Sequence, residues 1–73
     1  MKAIIYGAAW CHACHQAAAW LRAQGVEVEE RDYTEAPGEV QSLPVISIGG
    51  EIVVGFNRAK LSEVIRRYEG HQD

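Results

Sequence analysis

Two cysteines three residues apart, in the run Trp10-Cys11-His12-Ala13-Cys14-His15, are the residues of this chain best suited to chemistry. A thiol pair at this spacing can cycle between dithiol and disulfide by exchange with another disulfide. Cys-x-x-Cys-His is also the pattern by which haem is attached covalently, and Cys11, Cys14 and either His12 or His15 could supply three ligands to zinc or iron. A purely structural bridge is a weaker reading, because linking Cys11 to Cys14 closes too short a loop to stabilise much. Haem attachment takes place outside the cytoplasm, no export signal is expected before Trp10, and no methionine beyond Met1 could serve as second axial ligand. A closed metal site needs a fourth ligand, which would have to come from His71 in the tail or from the same helical turn, where consecutive residues do not face one another.

Any of these uses depends on the elements that hold the pair. Lys2-Ala-Ile-Ile-Tyr6 is short, β-branched and aromatic and ends at Gly7, which predicts a buried strand. From about His12 to Gln24 the chain is Ala-rich, and Cys14, Ala17, Ala18 and Leu21 recur on one helical face that Gly25 closes. Val26-Glu27-Val28-Glu29 alternates apolar and acidic residues and predicts a second strand running toward Tyr33. Thr34 to Ser42 contains Pro37 and Gly38 and holds at most about one helical turn after them. Leu43 to Ile48, Gly49-Gly50 and Glu51 to Val54 predict two strands in a tight hairpin. Asn57 is suited to cap a last helix in which Leu61, Val64, Ile65 and Tyr68 form one stripe, and Gly70 to Asp73 is expected to fray. The order β-α-β, connection, β-β-α over residues 1–73 predicts one α/β domain with helices on an open sheet.

Cys11 then stands where the first strand hands over to the helix. The unpaired amides and the positive end of the helix dipole stabilise a thiolate there, and a protonated His12 could add to this, lowering a thiol from about 8.5 toward neutral. Cys14, one turn further on and facing inward, is expected to be less accessible and placed to attack a mixed disulfide formed at Cys11.

Ile5-Tyr6, the Cys11 and Cys14 pair, Leu43-Pro44, Gly49-Gly50 and Gly55-Phe56-Asn57 together resemble the glutaredoxin and redoxin branch of the thioredoxin superfamily, over nearly the whole chain. The combination is far more specific than the pair alone, which occurs in many metal sites. The resemblance implies a thioredoxin-like fold with a four-stranded mixed sheet and a dithiol-disulfide oxidoreductase that reduces protein or small-molecule disulfides. Cys11 and Cys14 would be its catalytic pair, with no metal and no permanently bound cofactor. It further implies that Pro44 follows a cis bond beside the cysteines, that Leu43, Pro44, Gly55, Phe56 and Asn57 bind substrate, and that Trp10, His12 and Ala13 tune the pair.

The chain also departs from that family. Glutaredoxins usually carry Pro-Tyr between the cysteines, whereas His12-Ala13 stands here, and a His beside Cys11 should make the protein more oxidising than a thioredoxin with Gly-Pro. Trp10 resembles thioredoxin. Glutaredoxins hold glutathione partly through an Asp where this chain has Asn57, and Val54-Gly55-Phe56-Asn57 is closer to redoxins that serve ribonucleotide reductase. Thioredoxin reductase is therefore the expected electron donor, with glutathione as the alternative reductant, since Asn57 and the helix start behind it could still bind a carboxylate. The family's helix between strands two and three is shortened or absent, and the eleven residues 34 to 44 easily span the roughly 10 Å across two strand spacings. One sheet face is then left with little cover, which predicts a partner or weak self-association there.

The remaining residues have plainer readings. His12 can equally be a solvated residue at the helix start, and His15 is expected at the surface. Trp10 reads as a contact platform for substrate, Trp20 and Tyr68 as core, and Phe56 as either site border or a staple for the last helix. Glu27, Glu29 and Glu30 read as the wet face of a strand. The net charge of -3 comes from mixed residues, with seven Lys and Arg spread along the chain, so no nucleic acid partner is expected. No apolar stretch approaches the roughly 20 residues of a membrane span, and a cytoplasmic location is expected.

Overall fold

The protein is described by a computed structural model over residues 1–70. Strand β1 (Lys2–Gly7) is followed by helix α1 (His12–Ala23), strand β2 (Glu27–Asp32), the hairpin strands β3 (Val45–Ile48) and β4 (Glu51–Val54), and helix α2 (Arg58–Gly70). The sheet order is β2-β1-β3-β4. β1 and β2 run parallel, while β1 with β3 and β3 with β4 are antiparallel. This is the α/β order expected, with a four-stranded mixed sheet and no α-helix between β2 and β3.

Local sequence accounts for the boundaries. α1 stops in a Schellman motif: Gly25, at φ +84, donates its N–H to the Arg22 carbonyl and Val26 donates to the Leu21 carbonyl. Leu21 and Val26 are both buried in the core, which completes the apolar contact of that motif. Gly49 and Gly50 both adopt positive φ, as a two-residue hairpin turn requires.

Strand pleating sorts the side chains onto two faces. Ala3 and Ile5 pair in register with Val28, Ile46 and Ile48 on the face that receives both helices. There Cys14, Ala17, Ala18 and Leu21 of α1 and Leu61, Val64 and Ile65 of α2 close the core. The other face carries Ile4, Tyr6, Val45, Ser47, Ile52 and Val54. Its cover is uneven: Tyr6 and Val45 are buried, while Ile52 and Val54 on edge strand β4 are 50% and 57% exposed. The expected bare face is thus confined to the β4 side.

Five local expectations are corrected. The single turn in the connection is a 3-10 turn over Tyr33–Glu35, before Pro37 rather than after it. Asp32 and Glu35 form a capping box around it, with the Thr34 N–H donating to Asp32 Oδ1 at 2.9 Å and the Asp32 N–H to Glu35 Oε2 at 3.3 Å. Tyr68 is not core: its ring lies over Gly49, its hydroxyl donates to the Gly49 carbonyl, and the residue is 39% exposed. Trp20 sits at the core's rim, packing edge-on against Phe56 with ring centroids 6.0 Å apart. Glu29 and Glu30 do not share a wet face, because adjacent strand residues point to opposite sides. Glu29 pairs with Lys2 and Arg31, whereas Glu30 meets Arg22 of α1 at 3.2 Å. α2 runs through Gly70, so of the expected frayed tail only His71 to Asp73 lies outside the described residues.

Candidate active site

β1 ends at Gly7 and the chain turns through Ala8 to Trp10, with the Cys11 N–H donating to the Ala8 carbonyl at 3.0 Å. Cys11 occupies the N-cap of α1 in extended backbone, φ -88 and ψ 101. Its Sγ accepts the Cys14 N–H at 3.2 Å, in the place where a Ser or Asp oxygen usually satisfies an orphan amide of the first turn. No acidic residue lies in that turn to oppose negative charge on the sulfur. Cys11 and Cys14 are joined in a disulfide, with Cα atoms 5.3 Å apart. Cys11 is 8% and Cys14 3% exposed. Gly7 permits this approach, since a Cβ there would stand 2.6 Å from Cys14 Sγ.

The pair lies between two clefts. The front cleft, about 510 Å³, is lined by Trp10, Cys11, Tyr33 and the segment Val40 to Leu43, none of them charged. The Leu43–Pro44 bond is cis, and the carbonyl of the buried Pro44 accepts the Gly55 N–H at 2.7 Å. Trp10 stands 76% exposed beside Cys11. The rear cleft, about 240 Å³, is lined by Gly7, Cys14, His15, Glu30, Arg31 and Asp32 among others. In its lining, Asp32 is held below the ordinary carboxylate range by the Thr34 backbone N–H and then its hydroxyl, and on the opposite sheet face Glu29 is held down by hydrogen bonds from Lys2 and then Arg31. Arg31 is pushed up by Glu29 in turn.

Of the residues singled out in the sequence, Trp10, Cys11 and Leu43 share the front cleft, with Cys14 behind Cys11 and Pro44 behind Leu43. His12 is exposed at the first turn of α1, and Ala13 packs against the core. Gly55 stands beside Pro44, while Phe56 packs on Trp20 rather than lining the front cleft. Asn57 caps α2, its Oδ1 accepting the Lys60 N–H at 3.1 Å. Sequence reasoning missed Tyr33 and the rear-cleft residues Gly7, Glu30 and Asp32. The parallel pairing of β1 and β2 was their signal, because it brings the residues at the C-terminal end of β2 beside the turn into α1. Among the described residues no group of three or more His, Cys, Asp or Glu side chains is arranged to hold a metal ion, and no helix is long and apolar enough to cross a membrane.

Comparison with known proteins follows the same outline. Residues 3–53 match the family model described as Glutaredoxin. An uncharacterised glutaredoxin-like 8.6 kDa protein in a rubredoxin operon of Clostridium pasteurianum is 26% identical over 72 residues, covering 86% of this chain and 96% of that protein. The crystal structure of the glutaredoxin Grx-1 from Archaeoglobus fulgidus superposes with a TM-score of 0.69 at 28% identity, over 88% of this chain and 85% of that one. NrdH-redoxin from Escherichia coli, a glutaredoxin-like protein with a thioredoxin-like activity profile, superposes with a TM-score of 0.72 at 21% identity, over 88% and 95% of the two chains. The fold is thus thioredoxin-like. The family model runs from β1 through the Cys11–Cys14 disulfide and the cis Leu43–Pro44 bond into β4, and the chain belongs to the glutaredoxin family.

Proposed function

We propose that this protein is a dithiol-disulfide oxidoreductase that reduces disulfides of other proteins, with Cys11 attacking and Cys14 resolving. The observation that carries the reading is Cys11 Sγ at the N-cap of α1, accepting the Cys14 N–H, with Cys14 tucked behind it. In the reduced protein that amide and the helix end stabilise a Cys11 thiolate. The thiolate attacks a substrate disulfide, forming a Cys11–S–S–R bond and expelling the first substrate thiolate. Cys14 then attacks Cys11 Sγ, closing the disulfide and releasing the second thiolate, so the substrate gains two electrons and the pair loses two. Trp10 and Tyr33 flank the substrate, and the Leu43 backbone ahead of Pro44 pairs with its extended chain. Gly55, whose N–H is bonded to the Pro44 carbonyl, and Asn57 two residues on would extend the same binding region.

Charge supports one choice of reductant. Glutathione carries two carboxylates, yet the front cleft has no cationic side chain to receive them. This supports a protein donor of the thioredoxin reductase type in the cytoplasm, with glutathione as the slower route. A potential above the thioredoxin value of about -270 mV goes with it, because His12 beside Cys11 favours the reduced thiolate.

A coupled assay on an insulin-type disulfide tests both statements. Thioredoxin reductase should drive turnover at least about tenfold faster than glutathione with glutathione reductase, Cys11→Ser should abolish it, and Cys14→Ser should accumulate the mixed disulfide. Turnover supported by glutathione alone would reverse the choice of donor, and turnover surviving Cys11→Ser would remove the reading itself.

A further inference from the structure

The resolving step proposed above requires Cys14, almost wholly buried, to lose its thiol proton, and whereas Cys11 lines the front cleft, Cys14 lines the rear one. His15 lines that cleft and is oriented there from both ends. Its Nε2 lies 2.8 Å from the Ala9 carbonyl oxygen, which can only accept, so Nε2 carries the proton and Nδ1 of the neutral ring keeps its lone pair. Nδ1 stands 3.9 Å from Glu30 Oε1, and Glu30 is in turn fixed by Arg22 at 3.2 Å. The other charged groups around the cleft are engaged elsewhere: Asp32 Oδ1 with Thr34, and Arg31 with Glu29 and Glu35.

We propose that the rear cleft is the proton exit for Cys14, with His15 Nδ1 as the general base acting through water and Glu30 as the residue that steadies the resulting imidazolium. The inference rests on the dithiol reading and extends it to residues outside the Cys-x-x-Cys pair. As Cys14 sulfur bonds to Cys11 Sγ and the substrate thiolate departs, the Cys14 proton passes to water in the cleft and on to His15. The half-exposed ring then returns it to solvent. An imidazole neighbour on the carboxylate side is the arrangement a general base needs to gain a proton at low cost.

Stopped-flow oxidation of the reduced protein by an aromatic disulfide that releases a coloured thiolate reads the two steps separately. The first release reports Cys11 attack and the second reports Cys14 resolution. At about pH 7, His15→Gln should lower the ratio of second-phase to first-phase rate about tenfold, the low end of general-base effects. Glu30→Gln should lower it in the same direction by less. In H15Q the second phase should fall about tenfold per pH unit with the ionised fraction of the thiol, the wild type should fall less steeply, and the two should converge in alkali. Thermal melts of both variants check that the fold is kept, as expected for exposed side chains. A ratio unchanged in H15Q, or equal slowing of both phases, would overturn the proton route while leaving the dithiol mechanism standing. Absence of any second release in the wild type would instead overturn the dithiol reading on which it rests.

Discussion

Cys11 does two jobs with one atom: its sulfur closes the N-terminus of α1 and is the group through which exchange would begin. That coincidence makes the first turn of α1 and the redox pair a single unit, so a change in either is felt in both. Gly7 belongs to the same unit although it has no side chain. A Cβ at residue 7 would meet Cys14 Sγ at 2.6 Å and its Cβ at 2.9 Å, and neither can yield while the disulfide holds the sulfur. Gly7→Ala should therefore destabilise the oxidised protein by about 1–3 kcal/mol, the usual range for overpacking a tight interior. Urea denaturation of the oxidised and reduced forms checks this, with a smaller deficit expected in the reduced form, where the thiol can turn away. An unchanged midpoint in both forms would show that the strand shifts freely. The cysteine pair was legible in the sequence because its types and spacing are themselves the signal. The need for Gly7 was not, because what matters is an empty position facing a sulfur seven residues away.

At the scale of elements, the helices and strands follow from periodicity and punctuation. The connection between β2 and β3 does not, since Asp32-Tyr33-Thr34-Glu35 looks like the end of a strand until its capping box is recognised. Tyr68 continues the apolar stripe of α2 past the sheet's edge, onto the hairpin turn, so periodicity alone assigns it to the core. This contact makes the two turn glycines inequivalent. Both have positive φ, but a Cβ on Gly49 would lie 2.5 Å from the Tyr68 ring, while one on Gly50 would come no nearer than 3.9 Å to its hydroxyl. Gly50→Ala should cost about 1–2 kcal/mol for the left-handed backbone alone. Gly49→Ala should cost more, and a double-mutant cycle with Tyr68→Ala should remove the excess. The Asp32 cap makes a pH prediction. Thr34 holds the folded carboxyl below its unfolded value, so the contribution is complete above the unfolded value and is lost as pH falls through the folded one. The stability deficit of Asp32→Ala, measured by urea denaturation, should stay constant between about pH 5 and pH 8 and shrink below about pH 4. A deficit that persists in acid would mean that the side chain acts by packing rather than by charge.

At the scale of the molecule, both helices lie on one side of the sheet and the redox pair sits where β1 meets α1, so the reverse face is free to differ. Near the site that face is covered, with Tyr6 and Val45 buried, but Ile52 and Val54 are exposed on an edge strand. Sequence length alone foretold a thin cover; where it would run thin depended on the path of residues 36 to 43, which no periodicity encodes. Two apolar side chains on one short edge strand bury far less than the roughly 1,200 Å² of a stable interface, so any self-association through them should be weak. We expect sedimentation equilibrium to detect a dimer only toward about millimolar protein, with no loss of association in about 0.5 M salt, since apolar contact would be insensitive to screening and the net charge of -3 opposes pairing. Ile52→Lys should abolish the dimer and leave disulfide exchange intact, because Ile52 lies on the sheet face turned away from both helices. A dimer that weakens with salt would point instead to the Lys2, Glu29 and Arg31 cluster on the same face. A strict monomer across that range would leave Ile52 and Val54 as an edge too short to recruit a second copy, and the exposed face would then serve no association of this chain with itself.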